Sequence, residues 1–224
     1  MIIALHGNIG SPADYDFLSD NHEVNPVNLW PYSHLSLQEV AAEIRNLAAP
    51  GERKGIIGYS MGGRIALQSI ADQPDFWDFA VIISAQPGLQ SEKQRKERLA
   101  KDENWSKKVR TKSWSEFLNE WNQQGVLAGP APTNQNDLEP YKSHIASAFT
   151  NWSLGQQQDL RPELSKFRGS LTWIVGENDA RFAEMGREMK TLIPNLQLIQ
   201  VPQAGHRLLL ESPDVISAVL NSRD

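Results

Sequence analysis

A serine in the pattern Gly-x-Ser-x-Gly, at residues 58–62, is placed where it can act as a nucleophile or as a base. The motif follows an apolar segment, GIIGY at 55–59, and opens a stretch with helical spacing, MGGRIALQSIA at 61–71. Small residues on either side let a strand and a helix approach closely, so the serine occupies a strained and exposed corner. The spacing therefore predicts that Ser60 is reactive; the alternative is a surface serine in a glycine-rich turn.

A serine hydroxyl becomes reactive when a histidine takes its proton and a carboxylate orients that histidine. Asp179 follows the apolar segment SLTWIV, and His206 follows the segment LQLIQV. Both are therefore expected in loops at the carboxyl ends of strands, level with Ser60. We predict a triad of these three residues, with Glu177 as the alternative acid. The other histidines are expected to be structural or incidental: His6, His22, His34 and His144.

Developing negative charge near Ser60 would need hydrogen-bond donors, and two backbone N–H groups are candidates for this oxyanion hole. One belongs to Met61, which directly follows the serine, and the other to Asn8 in the stretch LHGN at 5–8. The glycine within that stretch lets the chain turn there. Two such donors typically stabilise a transition state by several kcal/mol.

The elements that must position these residues alternate between strand and helix patterns. Short segments rich in branched apolar residues lie at 2–6, 24–29, 55–59, 79–85, 170–175 and 196–201. Helical spacing lies between them, at 37–47, 61–71, 182–192 and 215–220. This alternation predicts an α/β fold with a mostly parallel sheet flanked by helices. In such folds, ligands bind at the carboxyl ends of the strands.

Residues 88–165 interrupt the alternation, because they are polar, rich in tryptophan and helical in pattern. We expect them to form a helical lid inserted into a core of residues 1–87 and 166–224. Within the lid, residues 91–112 hold nine Lys/Arg and four Asp/Glu, a net charge of +5, so the other residues carry 13 basic and 23 acidic groups, a net of −10. The basic segment is either a solvated helical face or a cover over a site for an anionic small molecule.

Composition excludes several classes of protein. The 224 residues are 40% hydrophobic and 22% charged, which fits one globular domain. A net charge of −5 argues against nucleic-acid and anionic-membrane binding. The absence of cysteine excludes disulfides, thiol nucleophiles and cysteine zinc sites, and it fits a cytoplasmic protein.

The first residues, MIIALHG, are not expected to be a signal peptide, and no metal or organic cofactor is expected. Composition leaves the oligomeric state open.

The chain resembles the α/β-hydrolase superfamily over nearly its whole length, because four short motifs occur in the order that is typical of that superfamily. They are Leu5-His6-Gly7, the serine motif, the Gly-Glu-x-Asp turn at 176–179 and Ala-Gly-His at 204–206. Within that superfamily the chain is similar to the 2-succinyl-6-hydroxy-2,4-cyclohexadiene-1-carboxylate (SHCHC) synthases of menaquinone biosynthesis. That narrower resemblance rests on Arg64 after the serine motif and on these residues of the lid: Pro87-Gly88-Leu89-Gln90, Arg95, Arg98, Asp102, Trp105, Phe117-Leu118, Trp121, Gln123 and Gln124.

The resemblance implies a lyase that eliminates pyruvate from a cyclohexene polycarboxylate. Ser60, activated by His206, would remove a carbon-bound proton without forming an acyl-enzyme. Arginines suit such a substrate because the planar guanidinium binds a carboxylate with two hydrogen bonds. The implied substrate-binding residues are Tyr59, Arg64, Arg98 and Trp121, with Arg95 as a further candidate. From the residues alone, Arg64 is also compatible with a helix-surface ion pair and Arg98 with a solvated charge.

The chain departs from that family in the second half of the lid, where a third substrate arginine has no clear match. Lys142 is the nearest basic residue, and whether it replaces the arginine is left open by the sequence. Two other functions remain as alternatives. One is a carboxylic-ester or carbon–carbon bond hydrolase that uses the same triad, and the other is a non-catalytic binding protein of the same fold.

Overall fold

Six parallel strands form the centre of the protein in a computed structural model that describes residues 1–19, 22–49, 51 and 53–222. The strands are β1 (Ile2–Leu5), β2 (Val24–Val27), β3 (Gly55–Tyr59), β4 (Phe79–Ile83), β5 (Ser170–Gly176) and β6 (Gln197–Val201). Their order across the sheet is β2-β1-β3-β4-β5-β6. The predicted α/β fold is confirmed, and the predicted strand ends differ from the observed ones by at most two residues.

Nine α-helices accompany the sheet in the described residues. They are α1 (Leu37–Asn46), α2 (Met61–Asp72), α3 (Glu92–Thr111), α4 (Trp114–Asn122), α5 (Lys142–Asn151), α6 (Arg161–Leu164), α7 (Ala180–Leu192), α8 (Leu208–Glu211) and α9 (Pro213–Asn221). None of the helices that the structure describes is long and apolar enough to cross a membrane.

Alternate residues of each strand point to opposite faces of the sheet. Both faces are covered by helices, so residues on either face are buried. Ile56 and Trp173 belong to a buried cluster that includes apolar residues of α1, α2 and α7. Ile57 and Ile174, one residue further along the same strands, belong to a second cluster with α9. This two-sided burial explains why the central strands are continuous apolar runs in the sequence.

The chain between β4 and β5 contains α3, α4, α5 and α6. An aromatic cluster packs the first three of these helices together. The rings of Trp105 on α3 and Trp121 on α4 are 5.2 Å apart, and Trp121 lies 5.3 Å from Phe149 on α5. Such edge-on pairs stabilise beyond the area that they bury. The tryptophans that the sequence placed in the lid therefore form an apolar centre for the insertion.

The register of the sheet brings the reactive positions together. Tyr59 at the end of β3 pairs with Ile83 at the end of β4, and Gly176 at the end of β5 pairs with Val201 at the end of β6. All strands run in the same direction, so the loops that follow β3, β5 and β6 leave the sheet at one edge. Ser60, Asp179 and His206 lie in those loops.

Close packing at the start of α2 generates a test of stability. A Cβ added at Gly62 would lie 2.2 Å from the backbone oxygen of Leu5 and 2.5 Å from that of His6. These backbone atoms cannot move aside as the end of a side chain can. We expect Gly62→Ala to lower the free energy of unfolding by about 1–3 kcal/mol, measured by urea denaturation.

The matched control is Gly125→Ala, because no described heavy atom lies within 4 Å of a Cβ added there. Its stability should stay within about 0.5 kcal/mol of the unmodified protein. Equal losses in the two variants would contradict the close contact between α2 and the end of β1.

Candidate active site

Ser60 lies at a sharp turn between β3 and α2. Its backbone has φ 51° and ψ −107°, a region that a residue with a side chain rarely adopts. A Cβ at Gly58 would lie 2.6 Å from the backbone oxygen of Gly62, so strand and helix can approach this closely only with glycine there. The Ser60 N–H donates to the carbonyl of Ile83 at 2.9 Å, which ties the turn to the end of β4.

The three residues of the predicted triad form a hydrogen-bonded chain. His206 Nδ1 lies 2.6 Å from Asp179 Oδ2, and His206 Nε2 lies 3.1 Å from Ser60 Oγ. A carboxylate only accepts hydrogen bonds, so Nδ1–H donates to Asp179 and Nε2 is left to accept from the serine hydroxyl. Asp179 and His206 are 8% and 5% exposed, so the hydrogen bond between them is shielded from water, whereas Ser60 is half-buried at the cavity. This arrangement can move the serine proton onto the imidazole.

Two aromatic rings hold the imidazole of His206 in place. The ring of Phe182 lies 4.7 Å from it and that of Tyr59 lies 5.6 Å from it. The alternative acid, Glu177, is exposed and accepts a hydrogen bond from the backbone N–H of Gln203 at 3.2 Å. Glu177 thus contacts the loop before His206, whereas Asp179 contacts the imidazole itself.

The two oxyanion-hole candidates, Met61 and Asn8, line one cavity together with Ser60. Met61 is the first residue of α2, so its N–H has no acceptor within the helix. The loop of Asn8 is held by His6, whose Nε2 accepts from the Leu29 N–H at 3.1 Å and whose Nδ1 donates to the Gly7 carbonyl at 2.9 Å. Burial lowers the pKa of His6 to about 4, so this histidine is neutral and structural.

The cavity beside Ser60 has a volume of about 340 Å³. All four of the predicted substrate-binding residues line it: Tyr59, Arg64, Arg98 and Trp121. Two predicted cations do not reach it in the described structure. Lys142 donates from Nζ to the carbonyl of Lys112 at 2.5 Å, and Arg95 donates to the carbonyl of Leu89 at 3.4 Å. The structure therefore does not bring Lys142 to the position of a third substrate arginine.

Arg64 is buried and has neutral hydrogen-bond partners. Its guanidinium donates to the Trp152 carbonyl at 2.6 Å and to Gln157 Oε1 at 3.0 Å. Burial and the nearby charge of Arg98 lower the pKa of Arg64 to about 10, so it stays positive at neutral pH. The alternative of a helix-surface ion pair for Arg64 is wrong, because the side chain is only 7% exposed and points into the cavity wall.

Arg98 differs from Arg64 because it already has a carboxylate partner. Its Nε lies 2.8 Å from both carboxylate oxygens of Asp102. Asp102 is buried and also accepts from the hydroxyl of Ser153 at 2.7 Å. The pair presents a polar surface to the cavity with little net charge.

The basic residues of 91–112 fall into two groups, one that lines the cavity and one that forms a solvated helical face. Arg98 and Lys101 line the cavity. Lys93 and Lys96 are exposed and pair with Glu97 and Glu92 on the same helix, at 3.9 and 2.8 Å. Most of this segment is thus a solvated helical face, and only a small part of it faces the site.

Sequence reasoning missed several polar residues of the cavity. Arg181, in the first turn of α7, lines it and donates to Gln86 Oε1 at 2.9 Å. Desolvation and the charge of Arg98 lower the pKa of Arg181. Its position two residues after Asp179, at the carboxyl end of a strand, was the signal that could have found it. Ser84, which has φ 44°, also lines the cavity.

Within the part of the chain that the structure describes, no group of three or more His, Cys, Asp or Glu side chains is placed to hold a metal ion.

The chain is similar to known proteins in sequence. The sequence profile of the alpha/beta hydrolase family matches residues 2–219. The SHCHC synthase of Serratia proteamaculans is 31% identical over 195 residues, which cover 84% of this chain and 74% of the relative. The SHCHC synthase of Escherichia coli O1:K1 is 29% identical over 170 residues, covering 74% of this chain. The chain spans 66% of the length of that E. coli relative.

Solved structures share the fold. MenH from S. aureus superposes with a TM-score of 0.81 at 21% identity, covering 99% of this chain and 91% of its own. A thermophilic esterase from Thermogutta terrifontis superposes with a TM-score of 0.74 at 17% identity, covering 99% and 88%. The resemblance to the superfamily and to SHCHC synthases, stated above from the motifs, is confirmed by these matches. The chain belongs to the α/β hydrolase family.

Proposed function

We propose that this protein is an SHCHC-synthase-like lyase, which eliminates pyruvate from a cyclohexene polycarboxylate in menaquinone biosynthesis. The observation that carries the proposal is the combination of the Ser60–His206–Asp179 chain with a cavity lined by arginine guanidiniums. An ester hydrolase needs the first feature and has no general need of the second. The relatives named SHCHC synthase support the same assignment.

Proton abstraction by Ser60 starts the proposed reaction. Its hydroxyl proton passes to His206 Nε2, and Ser60 Oγ takes a proton from the ring carbon that carries the succinyl group. The electron pair of that C–H bond forms a new ring double bond, and the existing double bond shifts by one position. The C–O bond to the enolpyruvyl group then breaks, and the oxygen leaves with the electron pair as pyruvate enolate. His206 returns its proton to the enolate carbon, which yields pyruvate and the diene.

The oxyanion hole has a defined task in this scheme. The proton lost lies next to the succinyl carbonyl, so negative charge develops on that carbonyl oxygen as the C–H bond breaks. The backbone N–H groups of Met61 and Asn8 would donate to this oxygen. Donors fixed in advance stabilise such charge because they need no reorganisation during the reaction.

We assign the binding of the substrate carboxylates to two arginines of the cavity, Arg64 and Arg98. Arg64 projects from the helix turn that follows Ser60, and Arg98 projects from α3. Tyr59 and Trp121 supply flat walls for the ring. We assign residues 88–165 as a lid that admits substrate and then excludes water, since α3 and α4 contribute Arg98 and Trp121 to the cavity.

The second candidate function is a hydrolase that uses the same triad. The strained elbow and its histidine also suit acyl transfer, and esterases share the fold. A non-catalytic binding protein is disfavoured, because ligand binding does not require the ordered contacts of Asp179, His206 and Ser60. The arginines decide between the two enzymes, since neutral esters offer them no carboxylate.

The triad generates the first prediction about activity. Ser60→Ala and His206→Ala should each lower kcat/KM for pyruvate release by about 10³-fold or more. The double variant should be little worse than either single one, since the residues act as a unit. Asp179→Asn should also impair turnover, because the amide cannot hold the same imidazole tautomer.

Glu177→Gln is the control for the acid, because Glu177 contacts the Gln203 backbone and not the imidazole. It should retain most activity, and each variant should keep its circular dichroism spectrum. The triad would be contradicted if the losses of kcat/KM in Ser60→Ala and His206→Ala were additive in the double variant. A larger loss of kcat/KM in Glu177→Gln than in Asp179→Asn would contradict the assignment of Asp179 as the acid.

The choice of substrate generates the second prediction. The purified protein is offered the pyruvate-bearing cyclohexene precursor and a panel of neutral esters such as p-nitrophenyl acetate. Pyruvate release should dominate, and Arg64→Ala or Arg98→Ala should lower kcat/KM by about 30-fold or more. Arg64→Lys should also be impaired, because an ammonium lacks the two-pronged geometry of a guanidinium.

The hydrolase makes the opposite prediction. Efficient ester hydrolysis without pyruvate release, unchanged by Arg98→Ala, would reject the lyase. The exposed Arg187, which pairs with Glu184 at 2.6 Å, provides an Arg→Ala control outside the cavity.

A further inference from the structure

Arg181 and Arg64 are joined by a short series of hydrogen bonds through two glutamines. Arg181 donates to Gln86 Oε1 at 2.9 Å, and Arg64 donates to Gln157 Oε1 at 3.0 Å. Gln157 Nε2 in turn donates to the backbone oxygen of Gln86 at 3.3 Å. Gln86 is 5% exposed and Gln157 is 1% exposed, so surrounding atoms fix both amides. The two guanidiniums are therefore held in a set relation to one another.

Glutamine is a neutral partner, and this leaves both positive charges available to a ligand. Within the described residues, neither Arg64 nor Arg181 has a carboxylate at ion-pair distance, whereas Arg98 has Asp102 at 2.8 Å. Arg161, outside the cavity, shows the usual alternative, because Asp159 and Glu188 both pair with it. Arg64 is buried without an acid partner, and Arg181, although exposed, lines the same cavity without one. An anion that enters the cavity therefore meets two guanidiniums that no carboxylate of the described residues neutralises.

Both residues lie close to the reacting groups on elements of the core. Arg64 follows Ser60 by one turn of α2, and Arg181 follows Asp179 by two residues. The neighbour of Arg181, Phe182, packs its ring 4.7 Å from the imidazole of His206. The backbones of both arginines thus belong to the core, whereas the Arg64 guanidinium is held by Trp152 and Gln157 of the insertion.

We propose, resting on the lyase function above, that Arg64 and Arg181 together bind the two carboxylates that the substrate keeps in its diene product. Arg181 then takes the role for which Lys142 was the sequence candidate, and it does so from α7 instead of from the insertion. Gln86 and Gln157 are positioning residues, which hold the guanidiniums without neutralising them.

The same reasoning assigns the carboxylate of the leaving pyruvate to Arg98. Asp102 competes for the Arg98 guanidinium, so a carboxylate bound there is held more weakly and exchanges more readily. The retained fragment has no such competitor at Arg64 and Arg181. This division holds the ring in place while the smaller fragment departs.

Binding of a stable product mimic tests the proposal without depending on turnover. 2-Succinylbenzoate carries both retained carboxylates, 3-benzoylpropionate lacks the ring carboxylate, and 2-butyrylbenzoate lacks the chain carboxylate. Isothermal titration with the full chain should show that Arg181→Ala raises the Kd of 2-succinylbenzoate by about tenfold or more. The effect should fall below about twofold for one of the two truncated compounds, because the partner of Arg181 is then missing.

Arg187→Ala is the matched control, since Arg187 lies on the same helix, is exposed and pairs with Glu184. It removes the same charge at a site away from the cavity. The proposal is overturned if Arg181→Ala changes the Kd values no more than Arg187→Ala does. Equal losses for all three compounds would also overturn it, because they would indicate a long-range charge effect and not a specific pair.

Gln86→Glu gives a second, independent readout of positioning. The glutamate keeps the shape of the side chain and the contact with Arg181, but it supplies the negative charge that the site lacks. We expect it to weaken 2-succinylbenzoate binding about as much as Arg181→Ala does, with a smaller dependence of Kd on salt. Unchanged affinity in Gln86→Glu would show that the neutrality of this partner has no role.

Pyruvate release by the unmodified protein separates the two hypotheses. If no pyruvate is released but Arg181→Ala still discriminates among the three compounds, the lyase fails and the carboxylate pair stands. If pyruvate is released and Arg181→Ala changes neither KM nor the Kd of 2-succinylbenzoate, the lyase stands and the assignment of Arg181 is wrong.

Discussion

The close approach of α2 to the ends of β1 and β3 is the constraint on which the site depends. Any side chain at Gly58 or Gly62 would collide with backbone atoms, at 2.6 and 2.2 Å. The turn between them holds Ser60 at a positive φ, a conformation that typically costs about 1–3 kcal/mol. Burial of almost the whole of α2 offsets this strain. One tight contact thus aims the Ser60 hydroxyl at His206, leaves the Met61 N–H free and directs Arg64 into the cavity.

The cavity wall contains a buried positive charge, that of Arg64, which no carboxylate of the described residues neutralises. Arg64 is taken out of water and receives only a carbonyl and an amide oxygen in exchange. This arrangement costs free energy, and burial accordingly lowers the pKa of Arg64 to about 10. Arg161, by contrast, pairs with Asp159 just before α6 and with Glu188 on α7, so its charge is neutralised and it ties α6 to α7. The difference in partners separates Arg64, which lines the cavity, from Arg161, which holds two helices together.

The fold by itself does not choose between reactions. A strained serine, a histidine and an oxyanion hole can serve acyl transfer as well as proton abstraction. Both MenH from S. aureus and an esterase superpose on this chain. The choice depends on what the cavity can bind. Here the insertion between β4 and β5 contributes Arg98, Lys101 and Trp121, while the core contributes Arg64 and Arg181. The site therefore combines a reactive centre that is common in this fold with charged cavity residues that come from two separate parts of the chain.

The sequence by itself determined the fold and the three residues of the hydrogen-bonded chain, because both depend on local patterns. Each strand is an apolar run, and each of Ser60, Asp179 and His206 directly follows one. In a parallel sheet, that position places them at one edge without any knowledge of the packing. The family resemblance added Arg64 and Arg98, and the structure brings both to the cavity.

Only the tertiary structure decided which charges face the site. The basic residues of 91–112 look alike in the sequence, yet Lys93 and Lys96 are solvated while Arg98 and Lys101 line the cavity. Lys142 contacts the carbonyl of Lys112, and Arg181 lies at the cavity beside Gln86. The orientation of α3 depends on aromatic packing with α4 and α5, and the contact of Gln157 with Arg64 spans 93 residues. Such long-range contacts leave no periodic signal in the sequence, because they arise only when separate segments pack against one another.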